Sequence, residues 1–250
     1  MIDGLVSVIT PMYNAENTIL QTIESVKKQT YENWEMLIVD DCSTDNCVEI
    51  VRRYQAEDSR IRLICNQKNL GVAKTRNVAL RNACGQYVAF LDSDDLWRAN
   101  KLEIQLGLME KTGTPFCYGM CGVVDVEGKA VCRPRNVPET IDYERLLKGN
   151  PIPCLTVLID KKKIADIEMP DLHHEDYACW LTMLKKYDTV ACGVQSIIAD
   201  YRVGGRTLSS NKVKVIGWTW IIYRKYLGLS LGKSLYCFSW YIIRAILKRC

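Results

Sequence analysis

The chain has 250 residues, of which 48% are hydrophobic and 25% charged, enough apolar content for one large core and too much for a dominantly disordered chain. Its net charge of +4 is unevenly spread: residues 1–200 hold 23 Lys and Arg against all 29 Asp and Glu, a net of −6, whereas residues 201–250 carry +10. The longest uncharged run in that basic tail, residues 234–243, is half of the roughly 20 residues that span a bilayer.

Residues 6–10 form a β-branched run, followed by a helical stripe of Ile19, Leu20, Ile23 and Val26 within residues 18–29. Strand 34–39 leads to a helix through Val48, Val51 and Tyr54, strand 61–65 to a helix over 72–83, and strand 86–91 to a helix over 101–111. Strands alternating with helices of this length predict right-handed crossovers and a doubly wound, mainly parallel α/β sheet flanked by helices. From Pro115 the alternation loosens. A Gly- and Cys-containing β region runs over 116–126, a further strand over 155–159, and a helix over 174–186 opens with acids and closes with Lys185 and Lys186, the order that the helix dipole favours. The division expected is one α/β domain over 1–205, with 1–112 and 113–205 as its halves, and a basic aromatic helical tail over 206–250.

The N-terminal residues have neither the basic region nor the apolar run of a secretory leader. The twelve cysteines include no C-x-x-C pair. The only histidines, His173 and His174, lie far in sequence from the closest-spaced pairs, Cys42 with Cys47 and Cys117 with Cys121. Reduced thiols in a cytosolic protein are the expectation, with zinc the minor alternative.

Open α/β sheets bind ligands beyond the carboxyl ends of their strands. Here the second strand runs into Asp40-Asp41-Cys42-Ser43-Thr44-Asp45, the fourth into Asp92-Ser93-Asp94-Asp95, and the first into Pro11-Met12-Tyr13-Asn14. Carboxylates gathered on one edge repel unless a cation joins them. Asp45 and Asp95 also suit plain helix N-caps, and Asp40-Asp41 alone equally suits the acid pocket of a receiver domain. A calcium loop opening at Asp92 fails, because its sixth position is Trp97 rather than Gly and its fifth is Leu96. Oxygen ligands of this kind suit Mg²⁺ or Mn²⁺ with a phosphate. Neither G-x-G-x-x-G nor the P-loop pattern is present.

The strings VSVITPMYNAENTI, SVKKQTYENWEMLIVDDCSTD, NLGVAKTRNVAL and GQYVAFLDSDDLWRANKLE, with HEDYACWL further on, resemble the family 2 glycosyltransferases of GT-A fold, many of which build bacterial capsule, O-antigen or teichuronic-type polysaccharides. The resemblance implies a nucleobase loop at Pro11, Tyr13 and Asn14, with Asp41 accepting a hydrogen bond from uracil. It implies Arg76 near the ribose or phosphates, and the D-x-D set Asp92, Ser93 and Asp94, with Asp94 on Mn²⁺ or Mg²⁺. Asp176 would be the general base, and Glu175 reads better as a first-turn acid. The implied reaction is inverting, metal-dependent transfer from a UDP-sugar to a glycan or lipid-linked acceptor. No Q-x-x-R-W motif is present, which argues for one sugar per encounter. A nucleotide-sugar-binding scaffold and a sugar nucleotidyltransferase are the alternatives, and nucleic-acid binding lacks any motif.

In the tail, Trp218, Trp220, Tyr223, Tyr226, Tyr236, Trp240 and Tyr241 interleave with Lys and Arg. A helix from Lys233 onward would set Lys233, Arg244 and Lys248 opposite Leu235, Ile242 and Ile246. This suits peripheral contact with anionic lipid on the inner face of the plasma membrane. A helical pair folded back on the acidic body, or an oligomer interface, is the competing expectation.

Overall fold

The computed structural model describes residues 1–134, 136–204 and 212–247, with side chains described for all of these except 212–215 and 245–247. In its first half, β1 (Ile2–Met12), β2 (Trp34–Asp40), β3 (Ile61–Cys65) and β4 (Gly85–Phe90) alternate with α1 (Ile19–Lys27), α2 (Cys47–Glu57) and α3 (Val72–Asn82). Next come β5 (Leu96–Trp97), α4 (Lys101–Thr112), β6 (Phe116–Val124), β7 (Ala130–Cys132), β8 (Thr140–Ile141) and α5 (Tyr143–Leu146). A 3-10 turn at Cys154–Thr156 precedes β9 (Leu158–Asp160), where the sequence suggested a single strand. The chain then forms α6 (Glu175–Lys186), β10 (Ala191–Arg202), α7 (Lys212–Ile221) and α8 (Leu231–Leu247).

These strands form one sheet in the order β3-β2-β1-β4-β9-β6-β10-β5, with β7 on β6 and β8 on β10. β3, β2, β1 and β4 pair in parallel, and so do β6 and β10, while the short strands β5, β7, β8 and β9 pair antiparallel. β9 is antiparallel to both β4 and β6. The two parallel sets therefore point the same way, and their carboxyl ends share one edge.

The strands are covered on both faces, as in other parallel sheets, and all seven residues of β2 are buried. Alternation divides them between two cores. Ile9, Leu37, Val39 and Phe90 enter one, and Val6, Val8, Met36, Ile38 and Ala89 the other. Trp180 of α6 is fully buried, with its ring edge-on to Phe90 at 5.4 Å and Phe116 at 5.3 Å. That contact anchors α6 under the centre of the sheet, with its N-terminus at the edge where the strands end.

The tail is folded back on the body. Ile222, Tyr223, Leu229 and Cys237 are buried in the same core as Tyr177 and Trp180. Tyr177 donates its hydroxyl proton to Leu146 O of α5, and the Tyr223 hydroxyl, 2.9 Å from that of Tyr177, shares its one proton between Tyr177 Oη and Leu147 O. Lys233 reaches Glu144 at 2.6 Å. On α8 the buried positions are Ser234 and Cys237, and the exposed apolar ones are Leu231, Leu235, Tyr236, Trp240 and Ile243. The expected stripe is thus only partly realised. Leu235 is exposed as expected, but Lys233 is drawn to the body by Glu144. The side chains of Ile246 and Lys248 lie outside the described residues.

Candidate active site

The register β1–β2–β3 brings Met12, Asp40 and Cys65 level at the strand ends, and β1 passes directly into its loop. Pro11 is still buried, whereas Tyr13 is 53% exposed and Asn14 is exposed with φ +50. Asn tolerates that left-handed conformation better than most residues. The two loops are cross-tied. Asn14 N donates to Ser43 Oγ at 2.9 Å and Thr44 N to Asn14 Oδ1 at 2.8 Å, while Asp45 accepts from Glu16 N at 2.9 Å and Cys47 N at 3.1 Å. Asp45 thus joins two loops, beyond a simple capping role. The exposed Tyr13 ring stands on a braced turn.

Asp41 is nearly buried, and its carboxylate is already engaged. Asn66 Nδ2 (2.9 Å), Leu70 N (2.8 Å) and Gly71 N (2.9 Å) all donate to it. Burial pushes this carboxyl up, and the bonds from Leu70, Asn66, Gly71 and Thr75 together outweigh that push and hold it below the ordinary range. A carboxylate offers about four acceptor sites, and these four donors use them.

Arg76 of α3 is 4% exposed, and its guanidinium bridges two elements. Nη2 donates to Asp92 at 2.5 Å and Nη1 to Glu175 at 2.5 Å. Arg76 thereby ties the end of β4 to the start of α6. Its Nε has no partner. Burial alone would lower this guanidinium, but Asp92 and Glu175 hold it firmly charged. Glu175 therefore does more than soothe a helix dipole. It is the second anchor of Arg76, a role that no spacing in the sequence signals.

After β4, Thr22 Oγ1 donates to Ser93 O at 3.0 Å and Asp95 O at 2.9 Å, which shapes the Asp92–Asp95 turn. Asp94 is exposed on this turn. The surrounding protein and the neighbouring Asp92 charge raise its carboxyl above the usual range. Asp95 is buried and accepts from Arg202 N at 3.0 Å, so it joins β10 to the turn and caps no helix. Burial and then Asp92 push its carboxyl well up. Arg202 was legible only as one of the tail's cations. The shared strand direction places it, 6% exposed, at the acid cluster, with Nη2 on Gln21 at 2.6 Å and Nε unpartnered.

Asp176 is half-buried in the first turn of α6, with Oδ1 accepting from Tyr177 N at 2.7 Å. Burial, reinforced by Glu175, pushes its carboxyl up to about 7 against the lowering pull of Arg76. Among the described residues no cluster of three or more His, Cys, Asp or Glu side chains is arranged to cage a metal. A raised, exposed carboxylate beside a second one nevertheless fits a divalent ion that takes one or two carboxylates and completes its shell with phosphate.

A parallel sheet with its loops and acids on one edge, and an acid-bearing helix across from them, is the arrangement of a GT-A-type transferase. The comparisons agree. The solved structure of S. aureus TarS 1–349 in complex with UDP-GlcNAc is similar at a TM-score of 0.70 and 23% identity, covering 88% of this chain and 66% of that one. The family model of glycosyl transferase family 2 matches residues 7–191, and the chain belongs to that family. The putative teichuronic acid biosynthesis glycosyltransferase TuaG of Bacillus subtilis strain 168 is 42% identical over 98% of this chain and 97% of its own length. The Escherichia coli UDP-Glc:α-D-GlcNAc-diphosphoundecaprenol β-1,3-glucosyltransferase WfgD is 41% identical over 97% and 94%. The protein is a glycosyltransferase.

Proposed function

We propose that the chain transfers a sugar from a UDP-sugar to a hydroxyl of a glycan or lipid-linked acceptor in bacterial surface-polysaccharide synthesis, with inversion at the anomeric carbon. The carrying observation is the Asp92–Arg76–Glu175 bridge. It ties the strand-end acids to the first turn of α6, which carries the base proposed here. WfgD's donor and acceptor, UDP-Glc and a diphosphoundecaprenol-linked sugar, support the two substrate classes.

In this reading Pro11, Tyr13 and Asn14 receive the nucleobase on a braced loop, and Asp41 accepts from the uracil N–H in exchange for one of its present donors. Asp92 and Ser93 line the ribose and diphosphate. Arg76 and Arg202 supply fixed positive charge from behind the acids, because both are buried and tied at their heads. Asp94 would hold Mn²⁺ or Mg²⁺, which when bound neutralises the diphosphate and stabilises the charge of the departing UDP. The acceptor oxygen attacks the anomeric carbon as the bond to the UDP oxygen breaks, and the electron pair leaves on UDP. Asp176 takes the hydroxyl proton, and a carboxylate raised to about 7 is a better proton acceptor than an ordinary one.

The acceptor class also supports a place at the cytoplasmic face of the plasma membrane. Among the described residues no helix is long and apolar enough to cross a membrane. The exposed face of α8 presents Leu231, Leu235, Tyr236, Trp240 and Ile243, the aromatic and aliphatic mix of an interfacial element.

The deciding assay offers a panel of UDP- and other nucleotide-sugars with a diphospholipid-linked acceptor and measures what is released. A UDP product that chelator abolishes and Mn²⁺ or Mg²⁺ restores is the expected result. Pyrophosphate would indicate a nucleotidyltransferase, and no release across the panel a binding scaffold.

A further inference from the structure

The turn that starts α6 is backbone-strained. His174 precedes the helix with φ +62, and its side chain makes no capping bond. A non-glycine residue is uncommon in that region, though His is found there more often than most, and it persists where its surroundings hold it. What surrounds it comes from the tail. Trp218 of α7 stacks on His173 with ring centroids 4.2 Å apart and planes 22° from parallel. It also meets His174 edge-on at 5.5 Å and 64°. One indole covers both histidines, which sit immediately before Glu175 and Asp176.

The tail is itself fixed. Its attachment to the body is Tyr223, just beyond α7, which is hydrogen-bonded to Tyr177 and reaches α5's exit, whereas Trp220 packs edge-on against Phe238 at 5.1 Å within the helical pair itself. We propose that Trp218 is a positioning residue for the reaction: it clamps His173 and His174 in the turn that aims Asp176 into the cleft, so that the C-terminal helical pair is a working part of the acceptor half. This rests on the reading of Asp176 as the base. The ring contacts of Trp218 among the described residues are with His173 and His174, which precede the proposed base, and the clamp is expected to act on the chemical step rather than on donor binding. Displacing a reacting group by about 1 Å costs on the order of 10²-fold in rate.

The test uses the full chain and three tail variants, Trp218→Ala, Trp218→Phe and Trp220→Ala, with UDP release from UDP-glucose as the activity. Trp218→Ala should lose kcat by on the order of 10²-fold with an unchanged KM for UDP-glucose, Trp218→Phe should recover most of it, and Trp220→Ala should match the parent. Hydrogen exchange without substrate should show the amides of residues 174–178 losing protection in Trp218→Ala only. Wild-type kcat and protection in Trp218→Ala, or equal damage from Trp220→Ala, would overturn the proposal. The Asp176→Asn background separates it from the base assignment. If Trp218→Ala adds nothing there, it acts through Asp176. If it adds its full factor to an impaired Asp176→Asn, the clamp proposal fails. A fully active Asp176→Asn contradicts the base assignment instead.

Discussion

Asp176 carries a proton-transfer role only if its carboxyl is ionised, and its raised position makes that pH-dependent within the working range. The kcat/KM profile is expected to rise with pH through an acid limb near 7. Stability moves the other way. A carboxyl with an unfolded value of 3.8 and a folded value of about 7 contributes stability that is complete below 3.8 and lost as pH rises through 7. The neutral isostere Asp176→Asn is therefore expected to gain melting temperature relative to the parent between pH 5 and pH 8, a comparison differential scanning fluorimetry makes directly. An Asn variant whose relative stability is flat across that range would place the carboxyl in an ordinary environment. Arg76 poses the complementary case. Truncating Arg76→Ala leaves Asp92 and Glu175 without the buried cation they share, a loss of about 3–5 kcal/mol for a buried pair. Arg76→Lys should restore only part of it, because a point charge cannot reach both acids with fork geometry. Denaturant titration of the two variants measures both.

At the scale of elements, α6 is where fold and chemistry meet. Its underside is fixed by Trp180 between Phe90 and Phe116, and its first turn by Arg76 on one side and Tyr177 on the other. Tyr177→Phe removes one hydrogen bond from Leu146 O, which keeps Gly149 N, and one from the Tyr223 hydroxyl, which keeps Leu147 O, at a cost of about 0.5–1.5 kcal/mol, read as a lower unfolding midpoint with an unchanged slope. Much of this architecture is legible in the sequence. β1 to β4 and the helices between them announce themselves because each strand is a short apolar run and each helix shows its own period. β10 does not. Its first half, Ala191-Cys192-Gly193-Val194-Gln195-Ser196, mixes small and polar residues, and its pairing with β6 supplies what propensity lacks. The roles of Arg202 and Glu175 follow from that unseen topology. A cation after the tail's start and an acid in a helix's first turn look ordinary until the strand order brings them to Asp95 and Arg76.

Over the whole molecule, charge and hydrophobicity separate. The acids gather on one edge of the sheet, and the acid-free tail covers α5 and α6 and turns the apolar face of α8 outward. The tail's composition shows its basic and aromatic character but not which face packs, since Lys233 is claimed by Glu144 and Cys237 by the core. If the exposed face seats on lipid, the full chain should float with vesicles containing anionic lipid at low salt. Replacing Leu235 and Trp240 with Glu should then leave it in the soluble fraction. Equal flotation of parent and variant would assign that face another use. The central claim is that Asp176 is the base of an inverting sugar transfer whose donor is bound by other residues. The measurement that bears on it most directly is turnover of Asp176→Asn alongside its calorimetric affinity for the donor. A kcat reduced by on the order of 10²–10⁴ with donor affinity intact is the predicted result. Normal turnover, or a loss that resides entirely in donor binding, would contradict it.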